Sequence, residues 1–255
     1  MRKLLVTVAV VLLIATLAAL AWLAFRSSEP TFQGKPLTAW LRERSVGPSQ
    51  EAENAIRQIG TNALPTLLKM VLETNSPDRE DLLRLARRQS VLAFDFHDAS
   101  EDHNLATVGF FVLGPTAKGA VAALTNFFCA ADPVVRRTSI GCLVALGPAA
   151  QDAVPALIPE ISDTDTAVRG SAKLALGAIH AQAAIAVPAL IANLSARDGS
   201  TRLTVLALGK FGAEAKVAVP ALLPLLNDPN RDLRSATSNA LKQIDSEAST
   251  KARVR

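Results

Sequence analysis

The segment Leu146–Ile158, LGPAAQDAVPALI, returns in altered form at a nearly constant interval through the C-terminal half of the chain. The proline of its VPAL core, or the residue in its place, falls at Ala122, Pro155, Pro188 and Pro220, in steps of 33, 33 and 32 residues. A second set of positions keeps the same step: Gly114, Gly147, His180, Gly212 and Asp245. A unit of this size cannot bury an apolar face by itself, so the repeat implies a stack in which neighbours cover one another.

Each unit reads as two helices and two turns. In the copy that starts at Ala153, Val154, Leu157, Ile158 and Ile161 follow three- and four-residue spacing over Ala153–Ile161, the one-sided pattern of a helix. Ser162–Thr166 supplies turn residues, with Asp165 at an N-cap position. Val168, Ala172, Ala175, Leu176 and Ile179 then mark a second helix over Val168–Ile179. Pro155 and its equivalents belong in a first helical turn, where a missing N–H costs little. Gly114, Gly147 and Gly212 suit a left-handed helix end, and His180 is a turn residue in a glycine place. Period-two alternation is absent, Tyr is absent, and aromatic residues are 4% of the chain. Strands are therefore a poor alternative, and the expected fold is all-α: an α-solenoid of helix pairs.

The units Leu113–Leu146, Leu146–Ile179, Ile179–Phe211 and Phe211–Ile244 resemble HEAT repeats of the short bacterial kind, the type shared with phycobilisome-lyase-like proteins. The resemblance implies that an Asp and an Arg four apart form a ladder between neighbouring repeats. Asp132/Arg136 and Asp165/Arg169 match it, and Arg234 keeps its place with Asn230 in the acid position. Arg202 stands one place out of register with Arg169. The resemblance also implies a concave face lined by second helices, with Arg137, Thr138, Gly170, Ser171, Lys173, Ser235 and Ser238 as outward candidates.

The N-terminal half is less regular. Gly60-Thr-Asn-Ala-Leu-Pro65 looks like a unit start, and Pro36–Arg44 with Gln50–Ile59 reads as a helix pair capping the stack. Pro65 to Ala122 is 57 residues, so a segment at about 75–99 reads as inserted, with Asp81–Val91 helical in pattern and carrying Arg84, Arg87 and Arg88. Gln33–Leu41 resembles the lead-in of membrane-anchored HEAT proteins from environmental bacteria. The expected organisation is an N-terminal anchor or signal segment (1–26), a linker (27–35), the solenoid (36–245) and a disordered basic tail (246–255).

Leu4–Phe25 is a run of 22 residues without a charge. As a helix it is about 33 Å long, enough for a bilayer core. Arg2, Lys3 and Arg26 flank it, and Trp22 sits where an interfacial aromatic belongs. Ala19-Leu20-Ala21 has the form of a signal-peptide cleavage site, which is the competing reading. The charged three-residue start favours a cytoplasmic N-terminus and a repeat domain on the outer, periplasmic side; Arg26, Lys35, Arg42 and Arg44 argue the other way.

The balance of 27 Lys plus Arg against 23 Asp plus Glu is too even for a nucleic-acid footprint. Cys129 and Cys142 fall on the two helices of one unit; a disulfide fits that spacing, and two small buried residues fit it better. Some HEAT-like families are enzymes. Deoxyhypusine hydroxylases bind a di-iron centre through His-Glu pairs, but His97, His103 and His180 are followed by Asp98, Asn104 and Ala181. The one dense set of ligand-type residues is Asp95, His97, Asp98, Glu101, Asp102 and His103, where His97 and Glu101 are one helical turn apart. Its spacing matches no standard metal motif, and its place in the inserted loop makes water-facing charges the simpler account. The expectation is a non-enzymatic scaffold that binds protein partners, with membrane contact through residues 4–25 and no catalytic residue, cofactor, metal or nucleic acid. The alternative is a metal-dependent or lyase-like activity centred on residues 75–103.

Overall fold

The computed structural model describes residues 29–74, 98–196 and 199–246. The proposed anchor at 4–25, the Arg-rich stretch 81–91, His97 and the tail beyond residue 246 lie outside the described residues.

Helices α1 (Leu37–Val46) and α2 (Gln50–Ile59) precede five successive pairs. These are α3 (Leu64–Leu72) with α4 (Ala99–Leu113), α5 (Val121–Asn126) with α6 (Pro133–Leu146), and α7 (Val154–Glu160) with α8 (Thr166–Ile179). Next come α9 (Ala183–Asn193) with α10 (Thr201–Lys210), and α11 (Val219–Leu222) with α12 (Arg231–Ile244). The second helices form one layer, touching in the order α4, α6, α8, α10, α12, while α1 and α2 pack against α4. In sequence, residues 75–97 separate the two helices of the first pair, and Asp98 caps α4.

The repeat period places like residues at like depth. Phe110, Leu143, Leu176, Leu208 and Leu241 recur on the second helices, and every one is 0% exposed. Leu124, Leu157, Leu190 and Leu222 do the same on the first helices. Each such side chain stabilises the fold by roughly 1.5–3 kcal/mol relative to exposure, and helices of its own and adjoining units seal it. Two glycines set how closely the second helices approach. A Cβ on Gly177 would lie 3.0 Å from Ala207 Cα, and one on Gly209 would lie 3.1 Å from Ala240 Cα.

The turns between pairs show one break in the pattern. Gly60, Gly114 and Gly147 have φ of 60°, 51° and 56° with ψ between −131° and −137°, a region closed to residues with a side chain. The chain then runs through short 3-10 segments, Gly60–Ala63, Gly114–Ala120 and Gly147–Ala153, and Gly212–Ala218 repeats the device. His180 cannot follow. It takes the left-handed helical conformation instead (φ 48°, ψ 49°), and Gln182 takes it again (φ 51°, ψ 47°). The chain thus enters α9 at Ala183 without a 3-10 segment. Pro155 and Pro220 stand in a first helical turn as expected, but Pro188 is corrected to a helix interior. Asp245, the last residue of the series, is extended (φ −155°) as the chain leaves α12.

The expected linker is partly structured. Thr31–Phe32 (β1) and Lys35–Pro36 (β2) form a two-residue antiparallel ribbon, turned by Gln33 and Gly34 with φ of 51° and 75°, the positive values that a tight hairpin needs. Trp40 Nε1 donates to Phe32 O at 3.3 Å, and Lys35 Nζ lies 3.7 Å from the centre of the Trp40 ring. The Gln33–Leu41 motif thus folds onto the end of the stack.

Because Gly177 faces backbone rather than a movable side chain, Gly177→Val should cost about 1–3 kcal/mol, read as a lower urea midpoint with an unchanged slope.

Candidate functional site

The turn inside each repeat is built the same way three times. Asp132, Asp165 and Asn230 cap α6, α8 and α12: Asp132 accepts from Val134 N–H at 2.8 Å, Asp165 from Ala167 N–H at 2.9 Å, and Asn230 from Asp232 N–H at 2.8 Å. Four residues on, an arginine folds back over the turn. Arg136 Nη1 donates to Ala130 O and Ala131 O, Arg169 Nη1 to Asp163 O and Thr164 O, and Arg234 Nη1 to Asp228 O and Pro229 O, all between 2.6 and 3.2 Å. The guanidinium thus satisfies carbonyls that the end of the first helix leaves open. Arg136 has a second role. Its Nε and Nη2 both reach the Asp163 carboxylate at 2.9 Å, a bidentate bridge from one repeat to the next. The carboxylate in that bridge is Asp163, not the capping Asp132 or Asp165 of the expected ladder, because each capping oxygen is turned into its own helix end. Asp163 also accepts from Asp165 N–H at 2.6 Å.

The acidic set at residues 95–103 is dispersed by α4. Asp98 Oδ1 caps the helix through Glu101 N–H at 2.8 Å. Glu101 accepts from Arg42 Nε at 2.9 Å. His103 is buried, its Nε2 2.8 Å from Glu73 O. Residues 98–103 therefore belong to a helix start and not to the inserted loop, a correction that follows from Asp98 being a good N-cap. Among the described residues, no group of three or more His, Cys, Asp or Glu side chains converges as a metal site. Cys129 is exposed, Cys142 is buried, and both are free thiols. Burial pushes the Cys142 thiol up to about 12, which leaves it unreactive.

The second-helix face differs from its expected make-up. Lys173 is 0% exposed, its Nζ donating to Ser200 Oγ, and Gly170 and Thr138 are buried. Gly170 is covered by Leu203, whose Cδ1 would stand 3.0 Å from an added Cβ. Arg137 and Ser235 are exposed, and Ser171 and Ser238 half-buried. Apolar side chains take the remaining space: Phe111 is 63% exposed and Leu174 46%. Arg44, Thr107, Val108, Phe111, Gly141, Val144 and Ala145 line a groove of about 360 Å³ there. Helical periodicity does not flag these positions, since an outward Phe111 beside an inward Phe110 reads simply as one apolar patch.

Residues 117–209 match the family model described as HEAT repeats, and residues 218–246 the one described as HEAT repeat. The two matches together fall on the four C-terminal helix pairs. No curated protein matches it. Among solved structures, the crystal structure of an engineered protein from the Northeast Structural Genomics Consortium aligns with 17% identity. That alignment covers 82% of this chain and 96% of the other, with a TM-score of 0.47.

The inter-repeat bridge carries an opposed pair of carboxyls. The hydrogen bond from Arg136 holds the Asp163 carboxyl below its ordinary 3.8. Burial, with the Asp163 charge beside it, raises Glu160 above its ordinary 4.5. The two have opposite pH signatures. Asp163 contributes stability above pH 3.8 that is lost as pH falls through its folded value. Ionised Glu160 opposes folding at neutral pH and is relieved as pH falls through its raised value. Asp163→Asn should therefore melt lower at pH 7, with the deficit shrinking below pH 3.8. Glu160→Gln should melt higher at pH 7, with the gain gone below pH 4.5. Scanning calorimetry from pH 3 to 7 reads both.

Proposed function

We propose that this protein is a non-enzymatic scaffold that binds partner proteins through the second-helix face of its HEAT stack. The observation that carries the reading is the large apolar area left on that face. Phe111 at 63% exposure stands over the groove it shares with Val108, Val144 and Ala145, where a side chain bound only for the core would be turned inward. Stacks of this kind present such a layer as an extended concave surface, and exposed apolar patches rimmed by polar groups are where proteins associate. The His, Asp and Glu groups at the start of α4 are spent on a helix cap, on Arg42 and on Glu73 O, which favours the scaffold over the metal-dependent alternative.

The reading extends to location. Residues 4–25 anchor the chain in a membrane as one span, and the repeat domain stands on the outer side. The support is the length of the uncharged run and the two charges before it.

In-cell photo-crosslinking from position 111 of the full-length chain, followed by mass spectrometry, should return a reproducible set of proteins that disappears when the crosslinker is moved to exposed Val217 (67% exposed). Labelling that returns only membrane background would end the scaffold reading. For the anchor, protease added to spheroplasts should digest the repeat domain and leave a cytoplasmic control intact; a protected repeat domain would reverse the orientation.

A further inference from the structure

Among the described residues, five glycines stand inside second helices: Gly109 in α4, Gly141 in α6, Gly170 and Gly177 in α8, and Gly209 in α10. Four have a packing reason. A Cβ would lie 2.5 Å from Leu67 at Gly109, 3.0 Å from Leu203 at Gly170, 3.0 Å from Ala207 at Gly177 and 2.7 Å from Gln243 at Gly209. Gly141 has none, because a Cβ there meets nothing within 4 Å. A glycine in a helix interior destabilises the helix relative to alanine, and here no neighbour requires it. Its counterparts one repeat away on either side are Val108 and Leu174, so the row along the face reads valine, notch, leucine.

The notch joins two grooves of different character. On one side lies the apolar groove of about 360 Å³ with Phe111 and Val144. On the other lies a polar groove of about 400 Å³ that includes Asn104, Thr107, Arg137 and Ser171, and Gly141 lines both. Arg137 is one helical turn before Gly141 on the same face. It is exposed, and among the described residues it takes part in no ion pair. Arg44, the other cation in the lining, is held by Glu53 at 2.8 Å. Neither lining contains a carboxylate.

We infer that this two-part groove across α4, α6 and α8 binds an acidic, apolar segment of a partner protein. An apolar side chain of the partner fills the notch at Gly141 between Val108 and Leu174, and a neighbouring carboxylate pairs with Arg137. One unpaired cation beside an apolar notch complements a carboxylate with an apolar neighbour; a phosphate backbone calls for several cations in a row. The inference rests on the scaffold reading and narrows it to one partner chemistry.

The test is to pan a displayed library of random 12-residue peptides on the full-length chain and on two variants. Gly141→Leu fills the notch from open space, and a melting temperature at or above that of the parent certifies its fold. Arg137→Glu inverts the charge of the unpaired cation in the two groove linings. The parent should enrich peptides with Leu, Ile, Phe or Met within four residues of Asp or Glu. Gly141→Leu should bind those peptides about tenfold or more weakly, and Arg137→Glu should shift enrichment toward Lys and Arg. Enrichment of basic or purely polar peptides, no enrichment, or equal binding to all three proteins would overturn the inference; if Gly141→Leu melts lower, Arg137→Glu alone decides. Such an outcome leaves the scaffold reading standing so long as crosslinking from position 111, which uses no peptide, still captures its set.

Discussion

The row of Phe110, Leu143, Leu176, Leu208 and Leu241 is sealed from water only by the helices of its own and adjoining units. Every other feature follows from keeping those helices in contact and in register. Burial of apolar surface supplies the driving force without direction, so direction has to come from elsewhere. Gly177 and Gly209 let second helices approach backbone to backbone. The Arg136 bridge to Asp163 ties one turn to the next at a set distance. Asn193, buried on α9, donates from Nδ2 to Ile161 O of the preceding repeat at 3.3 Å, a directional tie between the two units.

The same logic explains where the stack departs from regularity. Replacing a turn glycine by His180 removes a backbone conformation, and the consequence spreads along the chain: two left-handed residues, no 3-10 segment, and Pro188 inside a helix. Local contacts hold the altered turn. The His180 ring sits edge-on to Phe211 at 5.3 Å, and Gln182 donates to Gln151 O of the preceding repeat at 2.8 Å. The repeat absorbs the change because each unit touches only its neighbours.

The turns inside the repeats and the first turns of the second helices are occupied with capping, clamping and bridging. Farther along the second-helix face, Phe111, Leu174 and Arg137 stay exposed beside the open backbone at Gly141, and the proposed docking rests on them.

Much of this was legible in the chain itself. The 33-residue step dictated helix pairs, because three- and four-residue spacing between turn residues has no strand solution. Asp132, Asp165 and Asn230 could be read as caps, since a cap is made with the next two or three residues. The turn glycines could be read for the same reason. What local pattern could not decide were contacts made 27 to 33 residues away. That Asp163 rather than Asp165 bridges to Arg136, that Lys173 points inward to Ser200, and that Gly177 is crowded while Gly141 is open all depend on which neighbour the stack brings alongside. Residues of one type, placed on different faces of like helices, met different surroundings, and only the packing of one repeat on the next decided which are enclosed and which stay open.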